Sequence, residues 1–325
     1  MSGAHVFIDP SQFPENVRRD LLISLRARAI NHKFHYDTYK QAARWLALHE
    51  AHSPARQDAS CLKIYDDAFR ATAETSGTEN IHLVGLGCGG GQKEAGLIER
   101  LHATPRRIIY TPCDVSLPLV LTARAAARAR LEAENCHGVV CDLGTTDELA
   151  ATLDQFDSTS RRVVTLFGIV PNFEPAPLLW RLRSWLRPGD RLLLSANLAP
   201  GEDYAAGVRA VLPQYDNTLT REWLLTLLLD LGFEAEDGRL HFEIADDEHG
   251  LKRITAHYEL PRARSIRVYG ETLPFGAGER IRVFFSYRQT VPTMSALLQQ
   301  TGLEVAQTWV NDAREEGVFL CQRRG

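Results

Sequence analysis

The six cysteines of this chain (Cys61, Cys88, Cys113, Cys136, Cys141 and Cys321) are scattered with no CxxC pair. In a chain of this size that excludes a disulfide scaffold and a cysteine zinc site. Its eleven histidines include no HxxxH pair, so no metal-ligand set is expected. No apolar run reaches the length of a membrane span, and the first residues show no signal-peptide pattern. The expectation is a soluble, cytoplasmic protein with no membrane partner. Basic excess is missing too: 37 Lys and Arg against 41 Asp and Glu leave a net charge of −4. That speaks against a nucleic-acid partner, and the arginines at Arg124, Arg128 and Arg130 read as the solvated face of a helix. Internal repeats and low-complexity tracts are absent. What remains, 44% hydrophobic and 24% charged residues over 325 positions, is a globular chain of one large domain plus a smaller unit.

The first fifty residues contain no strand-like run. Helical spacing covers Pro14 to Ala29 and Tyr36 to His49, a loop is expected over Ser53 to Asp58, and another helix over Cys61 to Glu74. Strand and helix then alternate. Strands are expected at His82–Gly85, Arg107–Tyr110, Gly138–Cys141, Val163–Gly168 and Asp190–Ser195, with helices between them, the longest over Leu117–Glu134. Such alternation gives a parallel sheet with right-handed crossovers. From Glu202 the pattern changes to two helices and then to antiparallel strands of alternating polarity, before a closing helix and strand pair. The expected division is a helical segment (1–57), an α/β core (58–201 and 290–325) and an inserted α+β unit (202–289) over the ligand face.

The densest signal is Ile81-His-Leu-Val-Gly85-Leu-Gly87-Cys-Gly89-Gly-Gly-Gln-Lys93, an apolar run opening into five glycines within seven residues, before a helix. A strand that ends in glycines and turns into a helix brings bare backbone and helix N–H groups against a ligand. Taken alone, Gly85 to Gly90 satisfies the dinucleotide pattern GxGxxG. The next two strands each end in an acid, Asp114 and Asp142. Glycine loop, acid after the second strand and acid after the third is the spacing of an S-adenosylmethionine site. The first acid would take the ribose hydroxyls and the second the adenine amine. A dinucleotide-dependent enzyme and a non-catalytic ligand sensor stay open at this point.

Several separate runs, in order, resemble the histidine Nα-methyltransferase family of the ergothioneine pathway. Lys33-Phe-His-Tyr36-Asp37 is similar to its entry motif, with His35 in an aromatic place. Gly87 to Lys93 resembles its cofactor loop, and Phe167-Gly168-Ile-Val-Pro-Asn172-Phe173 its fourth-strand motif. Gln214-Tyr215-Asp216 and Gly278 to Ser286 resemble later motifs, and Trp309 to Asp312 the closing segment. The fold implied is a Rossmann-like class I methyltransferase core with an inserted substrate domain. The resemblance places Gly87, Gly89, Lys93, Asp114, Asp142, Leu143 and Gly168 around S-adenosylmethionine, with Lys93 on its methionine carboxylate. It places Asn172 and Tyr215 on the carboxylate of an amino-acid acceptor, held by neutral hydrogen bonds, and Tyr36 near the acceptor's amine.

Departures from the family share a direction. Its imidazole-gripping pair in the late strand is a glutamate and a serine two apart. Ser286 is present, but Phe284 stands in the acid's place. A ring-contacting tyrosine is missing near His52-Ser53, a pocket methionine is replaced by Ala256, and the first strand ends at Gly85 where the family has an acid. A buried imidazole without partners costs about 1–3 kcal/mol per unmet group. The expected activity is therefore N-methylation of an amino acid or similar small molecule whose side chain is not imidazole. Histidine methylation proper remains the alternative, and the oligomeric state is left open.

Overall fold

The computed structural model describes residues 5–324. In chain order its strands are β1 (Val6–Ile8), β2 (Ile81–Leu86), β3 (Ile108–Asp114), β4 (Gly138–Val140), β5 (Arg161–Leu166), β6 (Arg191–Asn197), β7 (Arg239–Asp246), β8 (Lys252–Glu259), β9 (Arg264–Val268), β10 (Glu271–Phe275), β11 (Arg280–Tyr287), β12 (Leu303–Val310) and β13 (Glu316–Arg323). Eight of them form one sheet in the order β1-β4-β3-β2-β5-β6-β13-β12. Strands β1 to β6 pair in parallel, and β13 runs antiparallel between β6 and β12. Every residue of β2 and β3 is buried because helices cover both faces of the sheet, which is why these strands read as apolar runs rather than alternating ones. The architecture is a Rossmann-like α/β fold.

Strand order reverses at β2, which lies between β3 and β5. Ligand crevices in such sheets open beyond the carboxyl ends at this switch point. Here those ends carry Gly87, Asp114, the Cys141–Asp142 pair and Gly168.

Three local expectations are corrected. The first fifty residues do contain a strand: Val6 to Ile8 pairs in parallel with β4, and the Asp9 N–H continues the pairing to Val140 O at 2.9 Å. Three residues are too short a run to signal themselves. Strand β3 does not stop at Tyr110 but reaches Asp114, because Pro112 forfeits only its own N–H while Cys88 N–H and Cys141 N–H bond the Cys113 and Asp114 carbonyls. The helix from Leu117 ends at Ala127, and Arg124 Nε donates to Cys136 O at 3.2 Å as the chain folds back. In addition, Pro54–Gln57 forms one helical turn where a loop was expected.

Beyond β6 the chain builds a three-stranded antiparallel sheet, β11-β8-β7, and the hairpin β9-β10. Helix Thr218–Asp230 starts where the Asn217 side chain accepts from Thr220 N–H, and buries Trp223, Leu224, Leu227 and Leu228. They share an apolar cluster with Leu21, Leu22, Leu25 and Phe34 from the amino-terminal segment and with Ile281 and Val283 of β11. The amino-terminal helices and the 202–289 segment thus close together over the carboxyl ends of the core strands. Among the described residues no helix is long and apolar enough to cross a membrane.

Candidate functional site

The loop after β2 is built from residues without side chains for a steric reason. Gly87 and Gly89 sit at φ +59° and +51°. A Cβ at Gly87 would lie 2.4 Å from Ile169, and one at Gly89 2.8 Å from the Trp45 ring. Gly91, also left-handed, starts helix Gln92–Leu101. The bare loop faces Asp114, whose Oδ2 accepts the Gly89 N–H at 3.1 Å and whose Oδ1 accepts the Ser116 N–H at 3.0 Å. Burial pushes the Asp114 carboxyl up to about 6, against the opposing pull of these backbone donors.

Asp142, after β4, is held on both oxygens. Oδ1 accepts the Gly144 N–H at 2.8 Å, and Oδ2 accepts from Lys33 Nζ at 2.8 Å. Each oxygen can accept a second hydrogen bond, and Asp142 lines the crevice. Together with Leu143, these residues line a cavity of about 420 Å³ that also takes in Gly87, Gly89, Tyr36, Trp45 and Asn172.

A second cavity of about 250 Å³ adjoins it, and His32, Tyr36, Trp45 and Asn172 border both. Lys93 and Gly168, expected with the other cofactor residues, line this second cavity and not the first. Lys93 is already engaged: its Nζ donates to the Tyr65 hydroxyl at 2.7 Å and lies 3.8 Å from Glu316, which Tyr65 also contacts. The Gly168 N–H is taken by Ser195 Oγ at 2.9 Å. Tyr215, Phe284 and Ser286 line the same space. Tyr215 Oη and Ser286 Oγ are 3.0 Å apart, and Asn172 Nδ2 is anchored on Phe285 O at 2.8 Å. Phe284 is 8% exposed, its ring against His32, Tyr215 and Trp223 at centroid distances of 5.5, 5.9 and 6.1 Å.

The Tyr36 hydroxyl pairs with His32 Nε2 at 2.6 Å. Burial drives His32 well below the ordinary imidazole range, so the ring is neutral, and burial raises Tyr36 well above the usual phenol range, with the Asp114 charge adding to it. His35, in the family's aromatic place, is fully buried, with its Nε2 2.6 Å from Val283 O; it pins β11 and does not enter the cavity. Ala256, within β8, is buried in the core and lines neither cavity.

Residues 17–323 match the family model described as histidine-specific, S-adenosylmethionine-dependent methyltransferases. The chain belongs to that family. It is 23% identical to the N-methyltransferase imqF of Aspergillus flavus over 83% of this chain and 74% of that protein. It is 24% identical to the N-methyltransferase fsqC of Aspergillus fumigatus over 72% of this chain and 64% of that protein, so it spans just under two thirds of the latter's length. Among solved structures, an S-adenosylmethionine-dependent methyltransferase from Clostridium acetobutylicum is 12% identical, covers 87% of this chain and 99% of that one, and has a TM-score of 0.48. The cofactor of this methyltransferase is S-adenosylmethionine. The first cavity fits it: a floor of backbone that admits no Cβ, buried carboxylates after two successive strands, and the volume of a drug-sized ligand.

Three contributors to the site were not expected from the sequence. His32 and Trp45 border both cavities, and neither stands in a run whose spacing announces it. Arg288 lines the second cavity at 5% exposure and donates from Nη2 to the Tyr215 hydroxyl at 2.9 Å. A neutral acceptor site was expected at Tyr215, but a buried guanidinium stands behind it. Its place one turn of the pleat beyond Ser286, on the same strand face, was the signal available.

Proposed function

We propose that the chain transfers a methyl group from S-adenosylmethionine to the amine nitrogen of a small acceptor, an amino acid or close analogue, whose side chain is not an imidazole. The observation that carries this reading is the shared wall: Tyr36 and Asn172 border both the cavity that fits the cofactor and the one containing Tyr215, Phe284 and Ser286. Asp114 receives the ribose hydroxyls, and Asp142, oriented by Lys33, receives the adenine amine beside Leu143. Gly87 and Gly89 let the backbone approach the cofactor, with Gly168 and Lys93 at its methionine end. Asn172 and Tyr215 hold the acid end of the acceptor. The curated relatives named above are N-methyltransferases, which supports nitrogen as the target atom.

The bound cofactor supplies a methyl already activated on a sulfonium, so the protein's task is alignment and exclusion of water. The attacking nitrogen must present its lone pair, hence a neutral amine. The Tyr36–His32 pair is uncharged, and it orients that amine rather than storing its proton. Phe284 fills the position from which the family grips an imidazole and offers the acceptor's side chain an apolar, aromatic surface. The test is a methylation screen: full-length protein, S-adenosylmethionine, and a panel of free L-amino acids and simple amines, read by mass spectrometry with fragmentation to locate the methyl. N-methylated α-amino acids are expected. Transfer only to oxygen or carbon, or no transfer while S-adenosylhomocysteine binds, overturns the reading.

A further inference from the structure

We propose that Arg288 supplies the positive charge that recognises a carboxylate on the acceptor, so the acid end is held by an ion pair and not by neutral groups alone. This rests on the functional reading above and sharpens it. Arg288 follows β11, and its guanidinium is buried against the acceptor cavity. Nη1 donates to Leu198 O at 3.0 Å and to Glu315 O at 3.4 Å, and Nη2 donates to Tyr215 Oη at 2.9 Å. Nε has no partner and is itself fully buried, and among the described residues no carboxylate pairs with the guanidinium. The cavity's two acids are occupied elsewhere: Glu315 accepts from Gln214 at 2.9 Å, and Glu316 faces Tyr65 and Lys93. A buried guanidinium satisfied only by neutral acceptors is an incomplete arrangement, and an anion completes it.

The neighbours point the same way. Because Tyr215 Oη accepts from Arg288, its own proton is free to be given, and it meets Ser286 Oγ at 3.0 Å. Asn197 Nδ2 lies 3.4 Å from the same phenol. Arg288 and Asn197 thus both donate to the Tyr215 oxygen, which leaves the phenol and Ser286 hydroxyls to donate beside the guanidinium. An Arg fork beside a phenol is the geometry of charge-assisted carboxylate binding. The same cavity is also lined by Tyr36, Trp223 and Phe284, the last packed against the Tyr215 ring, which suits an aromatic or apolar side chain.

Two measurements test this. The first needs no turnover: calorimetric titration of 3-phenylpropionate and indole-3-propionate, carboxylates that lack an amine, into the protein saturated with S-adenosylhomocysteine. Binding to the wild type, at least tenfold weaker in Arg288→Met and largely kept in Arg288→Lys, is expected. Equal affinity in the wild type and Arg288→Met, or no binding to the wild type, overturns the proposal. The second compares phenylalanine with phenethylamine and tryptophan with tryptamine as methyl acceptors. Arg288→Met should raise KM for the amino acids at least tenfold and leave KM for the amines unchanged. A uniform loss on acids and amines overturns it. S-adenosylhomocysteine affinity reports whether each variant is folded; should Arg288→Met fail that check, Arg288→Gln replaces it. Failure of methyl transfer to every acceptor, with carboxylate binding intact and dependent on Arg288, counts against the functional reading and not against the anion site.

Discussion

Lys33 Nζ lies 2.8 Å from Asp142 Oδ2 and 2.7 Å from Asp20 Oδ2, with the Lys33 and Asp142 side chains each 6% exposed. One ammonium thereby joins the first helix, the entry segment and the carboxyl end of β4. Burial alone would lower the Lys33 ammonium, but Asp142 and Asp20 outweigh it and raise it, so the charge persists at neutral pH. Removing one partner of such a buried set leaves uncompensated charge, a loss of roughly 3–5 kcal/mol. Lys33→Met should therefore lower the unfolding free energy by about that amount in urea titration. It should also weaken cofactor binding, because Asp142 loses its orienting contact. An unchanged urea midpoint would show that the pair holds nothing together.

Asp114 gives the cofactor site a pH dependence of definite sign. Burial raises its carboxyl to about 6, and on the proposed reading the ionised form is the one that accepts two ribose hydroxyls. Affinity for S-adenosylhomocysteine should be full above that value and fall as protons compete below it. The drop from pH 7 to pH 5 should be about tenfold, since one unit below the pKa only a tenth of the sites are ionised. Asp114→Asn should bind weakly across the range and show no such slope. A flat profile in the wild type would move the ribose contact elsewhere.

Much of the core could be read from the chain because its signals are local. Glycines cluster where backbone must approach a ligand, and acids end apolar runs. The acceptor side was less legible because it is assembled from segments far apart in sequence: Tyr215 meets Arg288 and Ser286 across 73 and 71 residues. Strand β1 escaped notice because three residues carry no periodicity, and its stability comes from pairing with β4. The glycine that replaces the family's acid at position 85 is also explained only in three dimensions. Glu94, on the next helix, is 3% exposed and accepts from Thr165 Oγ1 at 2.9 Å. Its Cγ lies 3.1 Å from where a Gly85 Cβ would stand, so a carboxylate reaches the end of β2 from another element.

That substitution of one position by another predicts non-additive mutations. Gly85→Asp alone places atoms against Glu94 Cγ and, at 3.2 Å, against the Tyr110 hydroxyl, and it sets two carboxyl groups side by side in the core. Overpacking of this kind costs about 1–3 kcal/mol before charge repulsion is counted. Gly85→Asp combined with Glu94→Ala should be more stable than the sum of the single variants, with a coupling of about 0.5–3 kcal/mol measurable by denaturant unfolding. Strict additivity would separate the two positions.

Tyr215 is the hub of the donor corner, since its hydroxyl accepts from Arg288 and meets Ser286. Tyr215→Phe leaves the ring against Phe284 and removes only that hydroxyl. A lost hydrogen bond to a charged group is worth about 1.5–3 kcal/mol, so kcat/KM on the best amino-acid acceptor should fall roughly ten- to hundredfold. S-adenosylhomocysteine affinity should be unchanged, because Tyr215 does not border the first cavity and bonds neither Lys93 nor Gly168. Loss of cofactor affinity in this variant would mean that the two cavities are a single binding unit.

Histidine itself should be a poor acceptor, although the chain belongs to a family named for it. On the proposed reading Phe284 presents a ring to the cavity in place of a carboxylate, and its neighbours His32, Tyr215 and Trp223 pack around it. Of the family's two ring contacts in this strand, only Ser286 remains, and its hydroxyl is engaged by Tyr215. An imidazole placed here keeps its polar nitrogens out of water without a charged partner, a penalty of about 1–3 kcal/mol for each unmet group. Binding sites discriminate against substrates by this means. The expected outcome is a kcat/KM for histidine about ten- to hundredfold below that of phenylalanine or tryptophan, measured by methyl transfer under identical conditions. Histidine trimethylated as fast as the best acceptor would place its ring elsewhere in the cavity, and Phe284 would then be part of the core and not of the specificity wall.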